Sequence, residues 1–170
     1  LVVGAPGVSD NDDRPGYVRV YTKEEEDEWT QLGEAIEGDA NGNMFGWSVS
    51  ISSNSTTVAI GAPTNNDFSG YVRVYEAVED GDGGMASWQK VGQDIGGENE
   101  VDLSGWSVSL SADGRIVAIG AVWNDDGGED SGHARIYTLI DGEWEKLGQD
   151  IDGQNPGDES GTSVSISSDG

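Results

Sequence analysis

Four short motifs recur along this chain in one order and at nearly one spacing. Gly46-Trp47-Ser48-Val49-Ser50-Ile51-Ser52 returns as Gly105-Trp106-Ser107-Val108-Ser109-Leu110-Ser111 and as Gly161-Thr162-Ser163-Val164-Ser165-Ile166-Ser167, at offsets of 59 and 56 residues. Val3-Gly4-Ala5-Pro6 returns as Ile60-Gly61-Ala62-Pro63 and Ile119-Gly120-Ala121-Val122. Gly16-Tyr17-Val18-Arg19-Val20-Tyr21 returns as Gly70-Tyr71-Val72-Arg73-Val74-Tyr75 and Gly132-His133-Ala134-Arg135-Ile136-Tyr137. Trp29-x-x-Leu32-Gly33 returns as Trp88-x-x-Val91-Gly92 and Trp144-x-x-Leu147-Gly148. A period of about 57 residues marks a tandem array whose units bury their apolar faces only against one another.

Every motif alternates as a strand must, because successive side chains point to opposite faces. Val49 and Ile51 share one face while Ser48, Ser50 and Ser52 share the other; Val58 and Ile60 lie opposite Ala59. The runs are short, β-branched and punctuated by Gly, Asn and Asp, so no helix of useful length competes. Four strands in such a repeat make one blade of a β-propeller, with the bulky face of one sheet laid on the Ser, Ala and Gly face of the next. A sandwich or β-solenoid is the all-β alternative, but a sandwich strand turns one face to solvent and carries charge there, and the second face of the Gly-x-Ser-Val-Ser strand is uncharged in all three copies. The fold expected is an all-β partial propeller of about three four-stranded antiparallel blades in tandem. Residues 1–33 form a blade lacking its first strand, 46–92 and 105–148 full blades, and 161–170 the first strand of a next one. Residues 1–6 read as a strand already under way and 168–170 as a turn, so the sequence reads as a segment of a longer array, an open arc to be completed by further blades of the same chain or of a second chain.

Composition narrows the function classes. With 33 Asp and Glu against 8 Lys and Arg, the formal charge of -25 repels phosphate backbones and anionic bilayers, so neither nucleic acid nor a membrane surface is an expected partner. No run of 18 apolar residues suggests insertion into a bilayer. The absence of cysteine excludes thiol chemistry, disulfides and cysteine-ligated zinc while leaving the compartment open.

Phe45-Gly46-Trp47-Ser48-Val49 followed by Val58-Ala59-Ile60-Gly61-Ala62-Pro63 resembles the FG-GAP repeat, the blade unit of the integrin α-subunit propeller and of many bacterial and algal surface proteins. The likeness covers the whole chain and is firmest in the middle copy; Ser104 and Ser160 replace the Phe, and Val122 replaces the Pro, in later ones. It implies a non-catalytic module for recognition or adhesion, secreted or at the cell surface, that binds a protein or glycan partner through its loops. It also implies a calcium cage, Asp-x-Asp-x-Asp-Gly-x-x-Asp, between the Phe-Gly and Gly-Ala-Pro strands. That cage is missing here, where only Ser53-Asn54-Ser55-Thr56 or Ala112-Asp113-Gly114-Arg115 joins those strands; calcium wants six to eight converging oxygens, and these are hairpin turns. No cofactor is expected, with calcium left possible elsewhere.

Individual residues stand out against that frame. Trp47 and Trp106 follow the inner-strand glycine, a position facing the central channel or a ligand, whereas Trp29, Trp88 and Trp144 open the outer strand and read as structural. The second-to-third strand connections carry Asp12, Asp67 and Asp125 within acidic clusters and open on the same face as the fourth-to-first connections, so a ligand-binding acidic face is expected there. Asp39-x-Asn41-x-Asn43 has the oxygen spacing of half an EF-hand loop, but Met44 stands where the turn glycine belongs and no Glu closes it, so it is a weak metal candidate. Arg19, Arg73 and Arg135 are expected to pair with carboxylates at the blade edge. Asn54-Ser55-Thr56 is a glycosylation acceptor pattern in a turn. Catalysis finds no foothold. Gly46-x-Ser48-x-Ser50 mimics a nucleophile elbow but lacks its closing glycine, and His133, the one histidine, takes the place of Tyr17 and Tyr71 as a packing variant. The competing functional readings are an accessory propeller domain of a secreted hydrolase and a calcium-stabilised structural spacer.

Overall fold

The computed structural model describes residues 1–7, 14–23, 28–79 and 85–170. They form three separate antiparallel sheets in sequence order. In the first, β2 (Tyr17–Lys23) pairs with β1 (Val2–Ala5) on one side and with β3 (Trp29–Gln31) and β4 (Ile36–Glu37) on the other. The second runs β5 (Ser48–Ile51), β6 (Thr57–Ala62), β7 (Tyr71–Glu79), β8 (Met85–Gly96). The third repeats it as β9 (Ser104–Leu110), β10 (Ile116–Ala121), β11 (His133–Ile140), β12 (Glu143–Lys146), with β13 (Ile151–Asp152) continuing the outer edge on β11. These are the blades that the alternation predicts. One detail differs: the outer strand is unbroken only in the second blade and is split in the other two.

The hydrophobic core lies between blades. Val18, Val20 and Ile36 of the first blade share one cluster with Phe45, Val58, Ile60 and Tyr71 of the second, and Ala59, Val72, Val74 and Ile95 of the second share another with Val108, Leu110, Val117, Ile119 and Trp144 of the third. Each fully buried Val or Ile contributes about 1.5–3 kcal/mol, so no blade is stable without its neighbour. The expected contact of bulky face on small face holds for the inner strands. It fails further out, where β7 adds Val72 and Val74 to the Ala59 side because cross-strand partners share a face: Ala59 pairs with Val74 and Gly61 with Val72. Small inner residues therefore make room for large neighbours on the same sheet.

Two devices set the spacing of the sheets. A methyl group on Gly4, Gly61 or Gly120 would strike the carbonyl oxygen of Gly46, Gly105 or Gly161 on the following repeat, so only glycine allows that approach. The serine face then clips it. Ser48 Oγ donates to Gly105 O and Ser107 Oγ to Gly161 O, both at 2.7 Å, while Ser50 Oγ and Ser109 Oγ accept from Leu110 N and Ile166 N. Residues 161–170 thus occupy the place of a first strand without forming one.

Candidate functional site

Between blades the chain runs along one edge of the molecule, tied to the loops beside it. Val101 N, Leu103 N and Ser104 N donate to the carbonyls of Asp67, Phe68 and Ser69; Gly157 N, Glu159 N and Ser160 N repeat this to Glu129, Asp130 and Ser131. From the other side Thr64 Oγ1 donates to Gly42 O at 2.6 Å and Trp123 N to Asp102 O at 3.3 Å. The result is a belt of connections and loops on one face, as the strand order requires.

The belt carries most of the residues singled out from sequence. Trp47 and Trp106 come together, with ring centroids 4.9 Å apart and planes tilted by 50°. Trp47 is 38% exposed and Trp106 half-buried, and each backbone N–H bonds the carbonyl of the belt residue three before it, Met44 or Leu103. Asp67 lies exposed in the tight turn Asn65–Phe68, in which Asn66, Asp67 and Phe68 all adopt left-handed backbone. Asp125 is exposed as well, its Oδ1 accepting from Asp130 N at 2.8 Å within its own loop. Asp12 lies outside the described residues.

Of the weak metal candidates Asp39, Asn41 and Asn43, the Asp39 carboxylate is ion-paired with Arg73. The pairing belongs to a clamp that recurs. Arg73 holds Asp94 of its own outer strand through Nε and Nη2, at 2.8 and 2.9 Å, and Asp39 of the preceding connection through Nη1. Arg135 likewise holds Asp150 at 2.8 Å and Glu98. Arg19 and Arg73 each stack over the tyrosine two residues before, Tyr17 and Tyr71, at 4.7 Å, but Ala35 stands where the other blades have Asp94 and Asp150. Burial alone would raise the Asp150 pKa, but Arg135 and Lys146 outweigh it and bring it down to about 2. Repeat alignment carried the signal for these clamps, since Asp39 and Glu98, and Asp94 and Asp150, fall at matching positions.

At the opposite edge, Asn54 turns the β5–β6 hairpin: its Oδ1 accepts from Ser52 Oγ at 2.7 Å and Thr56 N at 3.2 Å. Asp113 does the same for Ser111 and Arg115. The glycosylation pattern thus coincides with a structural turn, in an exposed residue whose turn bonds use only the amide oxygen.

Three structural details lie beyond the sequence reading. Trp123 is 41% exposed beside the belt. Asn124, fully buried, donates to Asp102 Oδ2 at 3.1 Å. His133 is buried with Nδ1 lacking a hydrogen-bond partner among the described residues, and burial together with the nearby Arg135 presses its pKa below the ordinary histidine value.

What this arrangement offers is a paired aromatic surface, with exposed carboxylates on the loops of the belt. A comparison with curated proteins finds none that matches. The FG-GAP repeat model matches residues 29–75 and 97–137, a little over half of the chain. Repeats of this kind build propeller modules that are generally non-catalytic and typically occur in extracellular or surface proteins. No helix among the described residues is long and apolar enough to cross a membrane. Two matched repeats, together with three blades joined by glycine-spaced seams, place the chain in the FG-GAP repeat family.

Proposed function

We propose that this chain is a non-catalytic recognition module of a secreted or surface protein, which binds a protein or glycan partner through the belt face. The Trp47–Trp106 pair carries the reading. Two indole rings from adjacent blades, one of them substantially exposed, give an apolar platform on which a sugar face or an aliphatic side chain can stack, and Asp67 and Asp125 add exposed acceptors on the belt loops. Trp side chains add contact area at small entropic cost. The recurring carboxylates Asp39, Asp94, Glu98 and Asp150 are engaged by arginine, which suits holding the blades together rather than moving protons.

The test is binding of the chain to arrayed glycans and to extracellular matrix proteins, with Trp47→Ala, Trp106→Ala and the double Asp67→Asn/Asp125→Asn variant compared by circular dichroism for folding. Binding that disappears with either tryptophan while the fold persists supports the proposal. Binding indifferent to all four residues, or turnover of a glycoside that is lost on changing one carboxylate, overturns it.

A further inference from the structure

We propose that the third blade carries a site for one divalent transition-metal cation, built from His133, Asp126 and Asp150. This goes beyond the recognition reading and does not depend on it. A ring nitrogen of His133 and one carboxylate oxygen from each aspartate lie within 4.8 Å of one another. The three residues come from separate stretches, Asp126 from the loop after β10, His133 from the first position of β11 and Asp150 from the turn before β13, so the fold and not local sequence assembles them.

The imidazole is the observation that points to a ligand. His133 is only 3% exposed, and its Nδ1 has no hydrogen-bond partner among the described residues. A buried group of this kind left unsatisfied is destabilising, and metal coordination would satisfy it. The second blade supplies the control. Tyr71 fills the same position, and its buried hydroxyl likewise has no partner, but burial pushes the phenol up to about 12, so it stays protonated and does not ligate. The niche offers an imidazole nitrogen beside the two carboxylates only where the repeat places histidine.

Supporting contacts orient the oxygens. Asn124 Oδ1 accepts from Asp126 N at 3.0 Å and its Nδ2 donates to the buried Asp102, which fixes the backbone from which the exposed Asp126 carboxylate swings. Arg135 positions Asp150, and a carboxylate with four lone-pair directions keeps one for a cation while bonded to Arg135 and Lys146. Those two cations oppose a third charge and moderate the affinity; Asp126 and Glu98 offset them. One imidazole nitrogen and two oxygens match Zn²⁺ or Ni²⁺, at bonds of about 2.0–2.2 Å, and fall short of the all-oxygen shell that Ca²⁺ requires.

Chelator-treated protein is titrated with Zn²⁺ and, separately, with Ca²⁺, followed by calorimetry and by ¹⁵N NMR of the single histidine. Expected are one zinc site per chain, a zinc-induced shift of the His133 ring resonances, and no such shift with calcium. His133→Tyr, the residue of the other repeats, should retain the circular dichroism spectrum and lose zinc affinity by about tenfold or more; Asp126→Asn, an exposed position that does not threaten folding, should weaken it in the same sense. Zinc that fails to bind, that binds both variants as tightly as the parent, or that leaves the His133 resonances unmoved overturns the proposal. The last two outcomes assign binding to surface carboxylates.

Discussion

The first and second blades meet through Val18, Val20, Phe45, Val58 and Ile60, the second and third through Val74, Val108, Val117 and Ile119, and a tryptophan of the later blade reaches back over each seam. Trp88 Nε1 lies 3.4 Å from Leu32 O and stays half-buried. Trp144 Nε1 bonds Val91 O at 3.0 Å and is 3% exposed. The difference traces to the residue after the motif glycine. Gln93 donates to Trp144 O at 2.7 Å and accepts from Trp144 N at 2.9 Å, whereas Glu34 stands at its place in the earlier seam. A carboxylate has no N–H to give, so it cannot make the reciprocal pair. The repeat decides where a seam forms; a single side-chain donor decides how tightly it shuts.

Truncation of the two tryptophans separates the seams most sharply. Trp144→Ala should destabilise the chain by about 3–5 kcal/mol, the usual range for emptying a buried indole site, and Trp88→Ala by clearly less. Urea unfolding measured by circular dichroism decides it, and equal losses would mean that the seams are equivalent. A smaller effect tests the cause: Gln93→Glu should cost about 1–2 kcal/mol, and Glu34→Gln should gain about 0.5–1 kcal/mol if the donor alone separates the seams.

Acid should act on both seams through the arginine clamps. Asp150 titrates at about 2 when folded against an ordinary 3.8, and Asp94 is lowered in the same direction, burial being outweighed by Arg73 and Lys90. Depressed carboxylates bind more protons unfolded than folded, so their contribution is complete above 3.8 and is lost as pH falls toward about 2. His133 acts earlier, because its lowered folded pKa makes stability decline as pH drops below the ordinary 6.5. Thermal melts should fall in two stages on acidification, with His133→Tyr removing the first and Asp150→Asn reducing the second. The smallest change expected is at the hairpin: Asn54→Asp, which copies Asp113, should leave stability within about 0.5 kcal/mol by thermal melting.

Period and alternation made the sheets legible in advance, because a strand's faces follow from residue parity and the glycine, serine and valine positions repeat. Parity could not show that β7 would share its valines with the small face, since that depends on the cross-strand register. The tryptophan pair was legible as two matching positions; its contact was not, because it depends on how closely the blades approach. The metal niche escaped for a related reason. His133 reads as a substituted tyrosine until Asp126 and Asp150, distant in sequence, are folded against it.

Many of the bonds that tie the belt are main-chain ones: Asp67, Phe68, Ser69, Glu129, Asp130 and Ser131 contribute their carbonyls to it. Bonds of that sort are indifferent to which side chain a residue carries, provided the backbone keeps its path. Mutation can therefore rewrite the chemistry of much of this edge one residue at a time without rebuilding the blades beneath it.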